Sequence, residues 1–444
     1  MMNGKISKES ITKFSEKYNG NKNYKIIANA LSKNSIQAVT YNNNIIANTQ
    51  FKFSKEIETL KVTNQKQSGR CWIFAGLNVL REIVAKKLNM ENFEFSQNYT
   101  SFWDKFEKIN YFLESIIDTI EEPIDSRVVD WIIQTGVQDG GQWEMFTNIV
   151  EKYGVVPKEV MPETFLSSNT VTMNGLLNTK LRKSASILRK MNNLGNSKES
   201  IIKEKAGMLE EFYSYLCICF GEPPKEFVWE YRDKHKTFIR TELIKPMEFF
   251  NLYIGDVLKN YVSIINSPTS DKSYGKSYTV KYLGNVIGGN EVIYINTDIN
   301  TMKKLTKQQL KNDEIVWFGS DVSKYLDRDS GILDTEAYNY NIAFEMNFNM
   351  TKEERLDYRE SSMNHAMVIT GVNLFNDIPN RWKIENSWGD EKGEKGYFVM
   401  SDKWFDEYVY QVVINKKYLS KELKLALSQN PIVLNPWDPM GSLA

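Results

Sequence analysis

The first sustained apolar pattern begins at Cys71 and continues to Ala85, with apolar residues three and four positions apart. This spacing predicts an amphipathic helix, and Ser68-Gly69 supplies turn chemistry just before it. Further helical patterns cover 96–119 and 143–152. We therefore predict an N-terminal extension over residues 1–60, followed by a helical lobe over 61–175.

The pattern changes twice in the second half of the chain. Residues 176–275 are rich in Lys, Glu, Leu, Met and Asn, which predicts a helical, partly solvated insertion. Over 276–420, alternating or β-branched runs predict strands at 277–282, 291–296, 314–318, 365–372, 397–400 and 408–414. Helices followed by antiparallel strands are typical of an α+β protein with two lobes and a cleft between them.

Composition narrows the classes of function. Lys plus Arg and Asp plus Glu are 56 each, so net charge gives no general reason to bind nucleic acid or an anionic membrane. No apolar run approaches the ~20 residues that a membrane helix needs. The polar N-terminus lacks the apolar core of a signal peptide. The chain has three cysteines, a small and odd number that does not indicate a disulfide framework. This favours a reducing compartment, and we expect the cytoplasm.

Cys71 is the first candidate for chemistry. A lone cysteine on an apolar helix is usually a small buried hydrophobe. In the first turn, however, a thiol faces the positive end of the helix dipole, which favours the thiolate. A thiolate is nucleophilic and needs in addition only a base and an oxyanion donor.

The base has two candidates, because the chain contains two histidines. His235 lies in a charged run, 231–236, that is typical of solvated surface. His365 opens a predicted strand. Asn386, in Asn-Ser-Trp-Gly, offers an amide oxygen that would fix the imidazole orientation and leave the Cys–His pair free to ionise. On its own this tetrapeptide could equally begin a turn.

These segments together resemble a known family. Residues 64–72, Asn-Gln-Lys-Gln-Ser-Gly-Arg-Cys-Trp, resemble the nucleophile segment of papain-like cysteine peptidases, and most closely the bleomycin hydrolase and aminopeptidase C branch. Residues 364–368 resemble its histidine strand and 385–390 its asparagine turn. The resemblance extends over nearly the whole chain, with further similar segments at 153–158, 229–234, 316–319, 396–401 and 436–444.

The resemblance implies a papain-like two-lobe fold, with a helical lobe and an antiparallel, barrel-like β lobe, a helical insertion and a C-terminal arm. It also implies a role for each residue of the site. Cys71 would be the nucleophile, His365 the base and Asn386 the orienting residue. The side-chain amide of Gln65 and the backbone N–H of Cys71 would hold the oxyanion, and Trp388 would shield the His–Asn contact. No metal or organic cofactor is implied.

The resemblance also implies how substrate is bound. Gly140 and Gly141 would run beside the substrate backbone, although paired glycines are also ordinary turn material. A C-terminal arm, residues 421–444, would enter the active site, and the carboxylate of Ala444 would meet the substrate's free amine. A frayed terminus is the alternative, but Trp437 and its flanking prolines argue against it.

The function implied is an intracellular aminopeptidase acting on peptides with a free N-terminus, and bleomycin-like amides would be a further substrate class. A homohexamer is also implied. Ser68 stands where secreted relatives carry a disulfide cysteine, in agreement with an intracellular location. An endopeptidase with a displaced arm, a nucleic-acid-binding regulator and an inactive scaffold are the alternatives; net neutrality argues against the second and the complete set of side chains against the third.

Other motifs carry less weight. Cys217-Ile218-Cys219 has no nearby His or Cys partner and reads as helix core rather than a metal site. No His-Glu-x-x-His occurs, and Gly275-Lys276-Ser277 lacks the upstream glycine of a phosphate loop, because that position is Ser270. No Gly-x-Ser-x-Gly elbow is present.

Overall fold

A buried helix that begins at Cys71 lies between a helical region and a large sheet in the computed structural model, which describes residues 4–444. The α-helices are α1 Lys8–Gly20, α2 Lys22–Leu31, α3 Ile36–Thr40, α4 Asn43–Asn48, α5 Cys71–Lys87, α6 Gln97–Asp118, α7 Arg127–Thr135, α8 Trp143–Tyr153, α9 Phe165–Ser168, α10 Val171–Asn193, α11 Lys198–Phe220, α12 Pro246–Tyr253, α13 Ile299–Lys311, α14 Tyr340–Phe344, α15 Lys352–Asp357, α16 Asp402–Tyr408 and α17 Lys421–Ser428.

The strands are β1 Lys55–Glu56, β2 Glu230–Arg232, β3 Phe238–Arg240, β4 Tyr261–Ile265, β5 Lys276–Val280, β6 Tyr294–Asn296, β7 Val316–Ser320, β8 Leu326–Asp327, β9 Ile332–Leu333, β10 His365–Phe375, β11 Ile378–Glu385, β12 Tyr397–Ser401, β13 Val409–Asn415 and β14 Ile432–Leu434. Short 3-10 turns lie at Gly255–Asn260, Lys416–Tyr418 and Pro439–Gly441. The predicted helices α5, α6 and α8 and the six predicted strands, β5, β6, β7, β10, β12 and β13, are confirmed to within a few residues. The α+β class is therefore confirmed.

The large sheet is open. Its strand order is β14-β5-β6-β4-β13-β7-β10-β11-β12-β9-β8, and β1 pairs with β10. The sheet differs in two respects from the antiparallel, barrel-like lobe that the resemblance implies. The short end strands β14 and β8 do not pair with each other among the described residues, so no barrel closes. Three pairings, β14 with β5, β4 with β6 and β12 with β9, are parallel.

Strand β10 is the centre of the site-bearing half. It pairs antiparallel with β7 on one side and with β11 on the other. Its first eight residues are buried, because α5 covers one face and a second apolar cluster, including Trp382 and Phe398, covers the other. His365 begins β10 and Glu385 ends β11, so the residues after β11 lie beside His365.

Helix α5 is buried on nearly every side, which requires close neighbours. At Gly76 the ring of Phe146 in α8 lies 2.8 Å from where a Cβ would stand. Glycine is needed here because any side chain would displace that ring. This packing fixes the start of α5, and therefore Cys71, against the helical region.

The N-terminal helices and the predicted insertion lie outside the site-bearing half. Helices α1 and α2 bury no residue, and α10 and α11 of the predicted insertion pack on α6. Strand β4 falls within the same predicted range but belongs to the large sheet. Among residues 4–444, no helix is both long and apolar enough to span a bilayer.

Candidate active site

Cys71 lies at the first position of α5, and its side chain is 2% exposed. The backbone N–H of Ala366 donates to its Sγ at 3.4 Å. Because Ala366 follows His365 on β10, this contact brings the candidate nucleophile beside the candidate base. As the first helical residue, Cys71 has a backbone N–H without an intrahelical partner.

The segment before Cys71 is fixed by a buried arginine. Arg70 donates through both terminal nitrogens to the Glu163 carboxylate, at 3.1 and 2.9 Å, and through Nε to Ser68 Oγ at 2.9 Å. A bidentate pair of this kind specifies orientation as well as position. The Ser-Gly-Arg motif thus positions the turn from which the nucleophile helix begins.

His365 and Asn386 are buried and in contact. His365 Nε2 lies 2.9 Å from Asn386 Oδ1, which orients the ring and leaves Nδ1 for the thiol side. The half-buried indole of Trp388 lies over this pair, with its ring centroid 4.9 Å from that of the imidazole. The predicted shielding contact is therefore present in the geometry.

Burial controls the protonation of both reactive groups. It raises the pKa of Cys71 to about 11, although the Ala366 N–H acts in the opposite direction. Burial also lowers the pKa of His365 to about 4, a shift that Asn386 opposes and the Arg328 charge reinforces. Either charge alone is disfavoured in this site. Proton transfer from Cys71 to His365 would create both charges together, so that each compensates the other.

Gln65 is held at the cleft by three hydrogen bonds. Its Nε2 donates to the Ser68 carbonyl at 2.6 Å, and its Oε1 accepts from Ser387 Oγ at 2.6 Å. Its backbone N–H donates to the Ser387 carbonyl at 2.8 Å. An amide nitrogen carries two hydrogens, so one N–H of Gln65 is left for a ligand.

The C-terminal arm ends on the glycine segment. Gly141 and Ala444 exchange two backbone hydrogen bonds, each of 3.2 Å, as in an antiparallel pair. Gln142 Nε2 donates to the Ser442 carbonyl at 2.6 Å, and Ala444 is 4% exposed. A Cβ on Gly140 would stand 2.6 Å from the Ala444 carbonyl oxygen. The missing side chain of Gly140 therefore allows the arm to lie this close, whereas a Cβ on Gly141 would stand 2.6 Å from the ring of Trp72.

Charged side chains stabilise both the arm and the glycine segment with which it pairs. On the arm, Asp438 pairs with Lys272 at 2.9 Å, and Trp437 stacks under Arg127, 3.8 Å from the guanidinium carbon to the ring centroid. Beneath the glycines, Lys108 donates to the Gly140 carbonyl at 2.6 Å. Burial lowers the pKa of Lys108, and the nearby carboxylate of Asp104 opposes that shift.

Comparison with known proteins gives the family. The profile of the Peptidase C1-like family matches residues 5–441. The chain belongs to the Peptidase C1-like family. It is 49% identical to aminopeptidase C of Listeria innocua over 444 residues and 39% identical to human bleomycin hydrolase over 454 residues, with 100% of both chains covered each time. The crystal structure of PepW from Lactobacillus rhamnosis is 49% identical, with a TM-score of 0.98 over 100% of both chains.

These relatives confirm the predicted papain-like family of the bleomycin hydrolase and aminopeptidase C type, and with it the enzyme class, a cysteine-type aminopeptidase. In this member of the Peptidase C1-like family, the structure brings Cys71, His365, Asn386, Gln65 and Trp388 together. Gly141 pairs with Ala444 and packs on the ring of Trp72, the residue after Cys71, and Gly140 lies against the same end of the arm. His235 is exposed on the β2–β3 hairpin, and Cys219 is buried in α11.

Several contributors to the site were missed by sequence reasoning. Asp139 accepts from Lys105 at 2.6 Å, from Thr170 at 2.5 Å and from the Gly69 N–H at 3.2 Å, and these charged and polar donors hold its pKa well below the usual range despite burial. Ser387 orients Gln65. In the sequence, Ser387 follows Asn386 and Asp139 precedes Gly140. This adjacency is the one feature of the sequence that could have identified them. Lys108 carries no signal, because its partner is 32 positions away.

Proposed function

We propose that this chain removes N-terminal residues from peptides by an acyl-enzyme mechanism with Cys71 as nucleophile. The observation that supports the proposal is the reciprocal hydrogen bonding of Gly141 and Ala444, because Gly141 packs on the ring of Trp72, the residue after Cys71. In this proposal the arm fills the half of the cleft that binds residues on the N-terminal side of the scissile bond. Only a short N-terminal stretch of substrate can then fit there. An endopeptidase cleft would need that half to be open.

The chemistry follows from the contacts. The Cys71 thiolate attacks the scissile carbonyl carbon, and the oxyanion accepts hydrogen bonds from the free Gln65 amide N–H and the Cys71 backbone N–H. Protonated His365 then donates to the leaving amine, and the C–N bond breaks. Next, His365 takes a proton from water, which attacks the thioester and releases the N-terminal residue. Asn386 orients the imidazole throughout, and Trp388 shields the His–Asn contact.

The arm acts as a ruler in this proposal. The Ala444 carboxylate would bind the substrate ammonium group. Gly140 and Gly141, expected from the sequence to run beside the substrate backbone, lie against the arm instead and would hold Ala444 in position. Ala444 is nearly inaccessible to water, and a charge pair is stronger where water is excluded. Substrates without a free amine would leave this carboxylate unpaired and would therefore bind poorly.

We propose that the chain is divided into five parts. Residues 1–60 form the extension, 61–175 the nucleophile lobe, 176–275 the insertion, 276–420 the sheet-rich lobe with His365 and Asn386, and 421–444 the arm. Bleomycin-like amides with a free amine are included as substrates, because bleomycin hydrolase is among the relatives.

A cytoplasmic homohexamer is part of the same proposal. Cys71, Cys217 and Cys219 are free thiols, in keeping with a reducing compartment. On α1, Ile11, Phe14 and Tyr18 recur at helical spacing and are 55%, 65% and 47% exposed, which suits burial against another copy. Sedimentation at six times the chain mass would support the hexamer, and a monomer at micromolar concentration would contradict it.

The test of the activity compares one peptide, free and N-acetylated, with wild-type enzyme and with Cys71→Ala in the presence of reductant. Cleavage of the free peptide alone, lost in the variant, is the expected result. Equal cleavage of both peptides would retain the cysteine mechanism and refute the ruler. Activity that survives in Cys71→Ala would refute the mechanism.

A further inference from the structure

The cleft continues beside His365 and Trp388, and none of the residues that line this part belongs to the arm. A space of about 900 Å³ opens there, bounded by the nucleophile loop, by Trp388 and by the segment around Arg328. Gln37 of α3 contributes to its far wall, so the N-terminal extension helps to enclose it. In the proposed function, the arm occupies the side of the substrate amine. This open side therefore receives the part of the peptide that leaves.

Acidic groups on this wall already have partners. Asp329 pairs with Lys392 at 2.5 Å, and Asp327 accepts from Ser330 at 2.5 Å and from Tyr41 at 3.3 Å. Asp139 is fixed by Lys105 at 2.6 Å. A leaving peptide would therefore meet carboxylates that already pair with a lysine or accept hydrogen bonds from hydroxyl groups.

Arg328 differs from these groups. Its guanidinium lies over Trp388, with Cζ 4.3 Å from the ring centroid, and it is exposed to the cleft. Within residues 4–444 it forms no ion pair and no side-chain hydrogen bond. It is also close enough to His365 for its charge to lower the imidazole pKa. A guanidinium whose carbon lies over an indole ring contacts that ring through its face, so its N–H groups are free for a planar acceptor.

We infer that Arg328 binds a carboxylate on the leaving side of the substrate, so that the enzyme favours short peptides or acidic residues just beyond the scissile bond. The inference rests on the proposed function, which assigns this side to the leaving group. A carboxylate matches the fork of N–H donors bidentately, whereas an amide does not. Two sources supply it: the C-terminus of a short peptide, or the side chain of Asp or Glu.

Lys66 is the competing cation on the same wall, and it too has no ion-pair partner among residues 4–444. No aromatic ring holds its flexible side chain, and its ammonium group is a point charge without the planar fork. The stacked Arg328 is the better preorganised of the two, since less side-chain freedom is lost on binding.

The experiment measures kcat/KM for two matched pairs. Leu-Gly-Gly and its C-terminal amide test the terminal carboxylate, and the amides of Leu-Glu-Gly and Leu-Gln-Gly test the side chain. Wild type is expected to favour the carboxylate member of at least one pair by about tenfold, as for an exposed charge-assisted contact. Arg328→Gln should reduce that ratio to about 1, and Arg328→Lys should retain part of it.

Each ratio is taken on one enzyme preparation, so a general loss of activity or folding cancels. Arg232→Gln is the matched control, because Arg232 also stacks on an aromatic ring, Phe238, but on the distant β2–β3 hairpin. Ratios near 1 in wild type, or a preference that survives Arg328→Gln, would overturn the inference; loss only in Lys66→Gln would assign the carboxylate to Lys66 instead. Failure of wild type to cleave any of the four peptides would refute the proposed function itself.

Discussion

The hydroxyl of Ser387 donates to Gln65 Oε1 at 2.6 Å and thereby joins the turn after β11 to the loop before α5. With the Gln65 oxygen engaged in this way, the amide nitrogen must face Ser68 and the cleft. A flipped amide would point an acceptor toward the oxyanion. Ser387 therefore determines which end of Gln65 a substrate meets.

Ser387→Ala is expected to lower kcat about fivefold with little change in KM, because loss of one neutral hydrogen bond of about 1 kcal/mol frees the amide to rotate. Gln65→Ala should lower kcat about 100-fold, as loss of an oxyanion donor does. Steady-state kinetics on a free dipeptide amide would measure both. Ser214→Ala, an exposed serine on α11 whose hydroxyl donates to the Glu210 carbonyl within the same helix, is the control. An unchanged kcat in Ser387→Ala would contradict the role assigned to Ser387.

Alkylation of Cys71 should depend on His365. Without the imidazole as proton acceptor, the buried Cys71 thiol has a pKa of about 11. Only about a thousandth of the molecules would then carry the thiolate at pH 8. In His365→Ala, the iodoacetamide rate should therefore be low at pH 6 to 8 and rise steadily toward pH 11. Wild type, which can form the thiolate–imidazolium pair, should react faster at neutral pH. Superimposable pH profiles for the two proteins would exclude proton transfer between the residues.

Gly140→Ala should loosen the arm. The added methyl would stand 2.6 Å from the Ala444 carbonyl and 2.8 Å from Leu443 Cβ, so the arm must shift. We expect kcat/KM on a free peptide to fall about tenfold, the effect of 1–3 kcal/mol of overpacking, and the relative rate on its N-acetylated form to rise. Gly175→Ala, in open space on α10, is the control. An unaltered ratio between the two peptides would refute the ruler.

The buried pair of Arg81 and Glu385 should matter for stability. Arg81 Nη2 lies 2.8 Å from Glu385 Oε1, with the side chains 2% and 1% exposed. Arg81→Met leaves a buried carboxylate unpaired, so the free energy of unfolding should fall by about 3–5 kcal/mol, measured by urea denaturation. Arg240→Met breaks an exposed pair with Glu230 and should change it by less than about 1 kcal/mol. Equal effects of the two substitutions would contradict this assignment.

The elements with strong local patterns could be predicted from sequence. Helix α5 and strand β10 are long, apolar and regularly spaced, so their periods identify them without tertiary information. Cys71, His365 and Asn386 were found because each lies in a distinctive short segment. Their roles stay predictions, but their proximity is now a geometric observation.

The features that could not be predicted from the sequence depend on contacts between residues that are far apart in the chain. The open sheet and its parallel pairings are set by strands such as β14 and β5, which are far apart in the chain. Helices α1 to α4 were not predicted. Helices α1 and α2 bury no residue, so the apolar positions on them are not part of the core that the rest of the pattern indicates. Arg328 has no motif at all. Its importance comes from Trp388, which reaches it through the fold alone.

Gln37 lines the space beside His365 and Trp388, and Ala444, about 400 positions later in the chain, pairs with Gly141. In the proposed function, the order of synthesis therefore separates catalysis from selectivity. A nascent chain that has emerged only as far as β13 holds Cys71, His365 and Asn386 but not the proposed arm, residues 421–444. Selectivity for a free amine would then arise only after the catalytic groups have been synthesised.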